Sequence, residues 1–259
     1  MKKYQDTNAE TIDRWVDEGW MWGKPVSKET YQDALKGRWN VLLTPTRFVP
    51  KHWFPRLKGA HVLGLASGGG QQMPIFNARG ATCTVFDYAH RQLESERAVA
   101  DREGYKIEMV RGDMSARLPF DDETFDLVFH PVSNCYVKDA KHVFKEAYRV
   151  LKAGGVLLSG LGLDINYIVD EKEERIVQKL PFDPTTDEAL YHRCVENDWG
   201  IQFSHSLEEQ IGGQLQAGFI LQELYEDTNG EGRLHDLNIP TYIATLSAKP
   251  EKPVKKAEK

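Results

Sequence analysis

The stretch VLGLASGGGQ, Val62 to Gln71, is an apolar run that breaks into three consecutive glycines. Glycine has no Cβ, so a chain leaving a strand here can turn sharply and let a ligand approach its backbone, with the amides of a following helix facing the same space. No Lys-Ser or Lys-Thr follows the glycines, so the motif is not a P-loop, and its GxGxxG register is imperfect. A tight turn alone would also use glycines. The surrounding sequence has to decide.

Downstream, short apolar runs alternate with amphipathic helices. ATCTVFD (81 to 87) reads as a second strand, and AHRQLESERAVADREG (89 to 104) as a helix that stops at Gly104. KIEMVRGDM and TFDLVFH (124 to 130) supply two more strands; a helix in DAKHVFKEAYRVLK and a fifth strand in GGVLLSGLG follow. Strands this apolar in a βα repeat demand a mostly parallel sheet covered by helices, with right-handed crossovers. Residues 164 to 205 lack a clean period, and either fold over the ligand-binding edge of the sheet or form an elaborated surface loop. The rhythm resumes with a capping box from Ser206 to Glu209, then ILQELYED and PTYIATLSA as strands six and seven, the last reversed.

Upstream, Asn8 is expected to cap a helix from Ala9 to Glu18, and Ser27 one from Lys28 to Leu35, before Pro45, Pro50 and Pro55 break any long element. Four of the six tryptophans precede residue 40, so this segment either packs on the main domain or also roofs a pocket. Of the 259 residues, 41% are apolar and 28% charged, the balance of a soluble globular protein. No run approaches 18 uncharged apolar residues and the opening carries acids, so a cytoplasmic location is expected. Cys83, Cys135 and Cys194 lie too far apart for a disulfide framework or a Cys-rich zinc site. The net charge of -6 becomes -9 without the last eleven residues, which carry +3, so a general nucleic-acid surface is not expected.

Three further motifs sit where strands end. Asp87 lies 19 residues beyond Gly68, a spacing at which a carboxylate accepts both hydroxyls of a ribose, although it could equally cap the next helix. Dinucleotide and adenosyl sites share this arrangement. In GDM, Asp113 can accept from an adenine amine while Met114 covers the ring. HPVSNCY, residues 130 to 136, follows the fourth strand at the switch in strand order.

The ordered set VLGLASGGGQ, FDYAHRQLE, GDMSARLPFDDETFDLVFH and EAYRVLKAGG resembles the core of class I S-adenosylmethionine-dependent methyltransferases. It is especially similar to the methyltransferase-11 type that acts on small molecules, and the N-terminal extension resembles that of a bacterial subgroup. The resemblance covers about a hundred residues. It implies an α/β, Rossmann-like sheet of order 3-2-1-4-5-7-6 with strand seven antiparallel. It also implies S-adenosylmethionine lying across the ends of strands one to four. Ala66, Ser67, Gly68 and Gly70 would line the methionine and ribose side, and Asp87 would bind the ribose. Tyr88 would lie against adenine with Gln92 nearby, Asp113 and Met114 would hold adenine, and His130 would sit beside the sulfonium. Two departures stand out: Gly64 where the family often has an acid, and Ala66 where it has its first loop glycine.

The expected organisation is a helical extension or lid over 1–57, with Trp20, Trp22 and Trp39 closing on the pocket, and a methyltransferase domain over 58–248. The 164–205 insertion interrupts that domain, and 249–259 form a disordered basic tail. Methyl transfer needs nucleophile, methyl and sulfur held collinear away from water, and no metal is required. His130 is the nearest candidate base, although a lone histidine there more often shapes or hydrogen-bonds the pocket than takes the proton. Asn134 and Tyr136 are candidates to orient a polar substrate or simply to pack. HPVSNCY is not the Asn-Pro-Pro-Tyr signature of nucleobase and glutamine methyltransferases, which argues against DNA. The resemblance implies a small-molecule acceptor, and a monomer or homodimer is expected. The rivals are an RNA methyltransferase using Lys24, Lys28, Lys36, Arg38, Arg47, Lys51 and Arg56, and a non-catalytic regulator that retains the cofactor fold.

Overall fold

Alternation along the central strands divides the core in two. The computed structural model describes residues 3–251. In it β1 (His61–Leu65) sends Val62 to one face of the sheet and Leu63 to the other. The same alternation runs through Leu127, Val128 and Phe129 of β4 (Phe125–His130). Both faces are therefore apolar and both are covered. One packs on α5 (Ala140–Val150) through Val143, Phe144 and Ala147; the other packs on α3 (Met73–Ala78) through Met73, Ile75 and Phe76.

The remaining strands are β2 (Thr82–Asp87), β3 (Glu108–Arg111), β5 (Leu151–Gly162), β6 (Ile220–Asp227) and β7 (Tyr242–Ala248). The sheet order is β3-β2-β1-β4-β5-β7-β6, with β7 antiparallel to both neighbours and the other pairings parallel. The expected topology is thus present. The chain reverses strand order between β1 and β4, which opens a crevice at their carboxyl ends.

Local signals explain several helix ends. Ser206 and Glu209 form the reciprocal capping box of α8 (Leu207–Ala217), and Ser27 accepts from Thr30 N–H at the start of α2 (Lys28–Leu35). Gly104 ends α4 (His90–Glu103) in the left-handed region. Asn8 behaves otherwise. The first helix, α1, spans Tyr4–Asp17, so Asn8 lies inside it rather than at its cap. There it is buried, donating to Ile201 O at 2.9 Å and accepting from Ile201 N–H at 2.6 Å. A tertiary backbone partner has taken the side chain that local capping would use.

The N-terminal third splits into two kinds of structure. Ala34, Val41, Leu43, Val49, Trp53 and Leu57 belong to the sheet's own core beside α3. By contrast α1 and residues 20–26 lie over the carboxyl ends of the first strands. The segment 164–205 contains α6 (Ile165–Ile168) and α7 (Glu188–Glu196) and folds back onto the same edge, where Phe203 N–H donates to Cys135 O at 2.7 Å. At the far end Lys249 is buried, its ammonium donating to Tyr148 O and Leu151 O at 2.9 and 2.7 Å. The expected disordered tail, 249–259, thus has its first residue packed on the domain, and its residues 252–259 lie outside the described residues. Among the described residues no helix is long and apolar enough to cross a membrane.

Candidate functional site

Two adjoining cavities open at the carboxyl ends of β1, β2, β3 and β4. The first, of about 290 Å³, is lined by the loop residues Ala66, Ser67 and Gly68, by Trp20 and Trp22, and by Tyr136, Tyr167 and Tyr242. The second, of about 110 Å³, is lined by Asp87, Tyr88, Asp113 and Met114, with Gln5, Asn8, Ala9 and Ile12 of α1 on its outer side. Trp20, Ala66, Gln92, Val132 and Tyr136 line both, so the two spaces meet at the glycine loop.

The loop is shaped by close approach. Gly69 has φ +96°, and a Cβ there would stand 2.4 Å from Trp22 O, so only glycine lets residues 20–26 lie on the loop. That segment is stitched down by Val26 N–H to Gly70 O at 2.9 Å, Gln71 to Met21 O at 2.7 Å and Ser95 to Gly23 O at 2.9 Å. Ala66 adopts φ 49°, a left-handed conformation that strains an alanine. At Gly64 a Cβ would meet the Met73 thioether at 2.9 Å, so the position that often holds an acid is filled here by methionine.

The loop amides do not face open space as the motif alone implies. Gly68 N–H donates to Asp87 Oδ2 at 3.0 Å, Gly69 N–H to Gln92 O at 2.9 Å and Gly70 N–H to Glu96 Oε1 at 2.9 Å. Asp87 also accepts from Ala89 N–H at 3.0 Å, so it anchors the loop and the entry to α4 together. Burial raises its carboxyl to about 6, against the lowering effect of those amides. Glu96 is fully buried, and burial pushes its carboxyl to about 8.

Most of the residues singled out in the sequence converge here. Ala66, Ser67, Gly68, Asp87, Tyr88, Gln92, Asp113, Met114 and Tyr136 line one or both cavities. Three do not. A Cβ at Gly70 would point at Ser95 O and Val99, so this glycine packs against α4. His130 is completely buried, with Nδ1 2.9 Å from Leu65 O and Nε2 2.8 Å from the Asn134 side chain. Burial holds its imidazole below the usual histidine range, so the ring is neutral near pH 7. A neutral ring can donate from only one nitrogen. With Nδ1–H given to Leu65 O, the consistent arrangement has the Asn134 amide donating to Nε2, which also provides a partner for its otherwise unpaired Nδ2. The His130 ring and the Asn134 amide are then spent on each other and on Leu65 O. His130 and Asn134 thus lie behind the cavity walls and line neither cavity.

The residues present fit an adenosyl cofactor. Gln92 Oε1 is buried without a hydrogen-bond partner among the described residues, on a side chain that lines both cavities. Asp87 and Asp113 place two carboxylates on the narrow cavity, beside the apolar Phe86 and Met114. That is an acceptor set for ribose hydroxyls and an exocyclic amine beside a surface for a flat ring.

A profile of the methyltransferase domain family matches residues 63–159. Over 249 residues the chain is 41% identical to the Bacillus subtilis uncharacterized methyltransferase YbaJ, covering 93% of this chain and 97% of that one. The chain belongs to the S-adenosylmethionine-dependent methyltransferases. A sterol 24-C-methyltransferase of Aspergillus fumigatus is 33% identical over 102 residues, 38% of this chain and 27% of its own. In fold, this methyltransferase is similar to an S-adenosylmethionine-dependent methyltransferase from Mesorhizobium loti. The TM-score is 0.62 at 16% identity, over 76% of this chain and 94% of the other.

Several lining residues of the methyltransferase lay outside the motifs. Gln5 Nε2 donates to Asp113 Oδ2 at 3.1 Å, and Tyr88 OH donates to Asp6 Oδ1 at 2.6 Å, so α1 is tied to the narrow cavity's rim. Tyr167, Gln202 and Tyr242 come from the irregular segment and from β7. No local pattern marks them, because what brings them together is the tertiary return of 164–205. Glu96 was hidden inside an ordinary helical repeat.

Proposed function

We propose that the protein transfers the methyl group of S-adenosylmethionine to a small-molecule acceptor held in the wider cavity. The observation that carries this reading is the meeting of two unlike spaces at Ala66, Gln92 and Tyr136, one with the adenosine-binding acceptor set and one with aromatic walls. When bound, S-adenosylmethionine supplies a methyl carbon activated by its sulfonium.

The chain's own residues hold, orient and dry the site. Asp87 accepts from the ribose hydroxyls, Asp113 accepts from the adenine amine, and Met114 covers the ring. Trp20 and Trp22 exclude water, which strengthens every polar contact inside and leaves collinear approach as the main requirement. Tyr136 is the polar group on the reaction side; burial holds its phenol well above the ordinary value, so it keeps its proton and hydrogen-bonds the acceptor rather than deprotonating it. His130 is a positioning residue that joins the end of β1 to the 131–137 loop. The helix α1 and residues 20–26 act as the cover of the site. Coverage of 93% of the chain by the Bacillus subtilis relative supports assigning that cover to a bacterial subgroup.

The lining supports a small molecule over RNA. Among the described residues no basic side chain lines either cavity. Arg38 pairs with Asp33, Arg47 donates to Glu226 O at 2.7 Å, and Lys51 lies over the Trp39 ring, so these cations are engaged locally. Relatives named for sterol and demethylmenaquinone methylation, matching 38% and 39% of this chain, point the same way. Calorimetric titration with S-adenosylmethionine and with a reduced nicotinamide dinucleotide tests the cofactor, followed by a methyl-release assay over a metabolite extract. Saturable binding of the first alone with release above background is expected. Binding without release over the whole extract would favour the non-catalytic regulator.

A further inference from the structure

The wider cavity has a feature that cofactor binding does not require. Among the described residues none of the side chains lining it is an Asp, Glu, Lys, Arg or His; its polar groups are glutamine amides, hydroxyls, a thiol and indole N–H groups. An acceptor's carboxylate or phosphate placed there would lose its hydration and meet no counter-charge from the protein, whereas the methionine end of the cofactor brings its own ammonium beside its carboxylate. An acceptor with an uncharged reacting end escapes that loss.

Tyr167 and Gln202 line this cavity and also a third space of about 410 Å³ beneath the 164–205 segment. Tyr167 is thus a wall common to both. Its hydroxyl is tucked against the end of β5, 3.0 Å from where a Cβ on Gly162 would stand. Beyond it the walls are Trp15, Val169, Val177, Phe182, Leu190 and Trp199. The charged groups there are spent or peripheral: Asp198 pairs with Arg14 and accepts from Trp15 Nε1 at 2.9 Å, while Arg193 is exposed and leans on Gln178. Val177 and Trp199 are 61% and 48% exposed, so the outer mouth of the chamber is itself apolar. Large apolar side chains left open around a cavity mark a ligand-binding surface.

We infer that the acceptor is an elongated, uncharged molecule whose reacting end lies against Tyr136 and Tyr242 and whose apolar tail passes Tyr167 into the chamber under 164–205. Tyr167 and Val177 are then specificity-determining residues, the first at the passage and the second at the far wall. This assignment rests on the methyltransferase reading of the site.

The test uses the full chain saturated with S-adenosylhomocysteine and three probes: 1-octanol, 1-butanol and octanoate. The uncharged long probe should bind at least tenfold more tightly than either the short one or the carboxylate, because only it fills the chamber without burying charge. Val177→Glu, at an exposed position that tolerates a carboxylate, should cut octanol affinity at least fivefold while leaving butanol and S-adenosylhomocysteine binding unchanged. Tyr167→Trp should remove the advantage of octanol over butanol by narrowing the passage. Equal affinities for octanol and octanoate, or no response of octanol to either substitution, would overturn the inference while S-adenosylhomocysteine still binds. Failure of S-adenosylhomocysteine to bind the native chain would instead overturn the cofactor reading and the inference with it.

Discussion

Gln5 of α1 donates its side-chain amide to Asp113 at the end of β3, across 108 positions of chain, at 3.1 Å. A hydrogen bond to a carboxylate contributes about 1.5–3 kcal/mol. It closes the narrow cavity with the very carboxylate assigned to adenine, so α1 reports on, and is held by, the same group that recognises the cofactor.

Gln5→Ala should therefore speed cofactor exchange. With α1 less firmly docked, stopped-flow association and dissociation of S-adenosylhomocysteine should both accelerate by about tenfold, the range that 1.4 kcal/mol sets. The dissociation constant should move less than either rate. Unchanged rates in a folded variant would show that α1 is a fixed wall.

Asp87 makes two demands on one carboxylate. It anchors Gly68 and Ala89 and, in our reading, accepts from the ribose, so Asp87→Ala should weaken S-adenosylmethionine binding by about 2–3 kcal/mol by calorimetry. Because its carboxyl sits at about 6, protonation should also weaken binding by the native protein as the pH falls from 7 to 5. In Asp87→Asn that pH dependence should vanish. An unaltered affinity in Asp87→Ala would remove the ribose role.

What sequence conveys about this fold is mainly what a strand or helix needs locally. Alternation in VLGL and FDLVFH, the Ser206–Glu209 box and the Gly104 stop each depend on neighbours a few residues away, so the elements were legible locally, whereas the order of the strands rested on the resemblance to the methyltransferase family. Asn8 was misread because the same side chain that caps helices found a backbone 193 residues away. His130 was legible as the end of the fourth strand, whereas its complete burial depends on how Asn134 turns back on it. Tyr167 and Gln202 carry no signal, since 164–205 acquires its shape only by packing against α1 and the 131–137 loop.

The neutral, doubly engaged His130 predicts a ring that does not titrate near neutrality. Its Hε1 resonance in a proton–carbon spectrum should stay flat from pH 8 to pH 5.5, because burial lowers its pKa and both nitrogens are already partnered. A midpoint near the ordinary histidine value would restore it as a candidate base.

Glu96 carries the sharpest pH prediction for stability. Its carboxyl holds Gly70 N–H, is fully buried, and rises from the ordinary glutamate value to about 8. In the unfolded chain the proton is released near pH 4.5, so between there and pH 8 the folded state binds a proton that the unfolded state lacks. Stability contributed by this group is complete below the lower value and is lost as the pH rises through the upper one. Each unit of pH in that window removes up to about 1.4 kcal/mol. Urea unfolding of the native protein and of Glu96→Gln at pH 5, 6.5 and 8 isolates the effect, because the other titrating groups are common to both. The native protein should lose at least about 2 kcal/mol more than the variant between pH 5 and pH 8. Parallel curves would mean that Glu96 is ionised throughout and that its unpaired oxygen is satisfied by water.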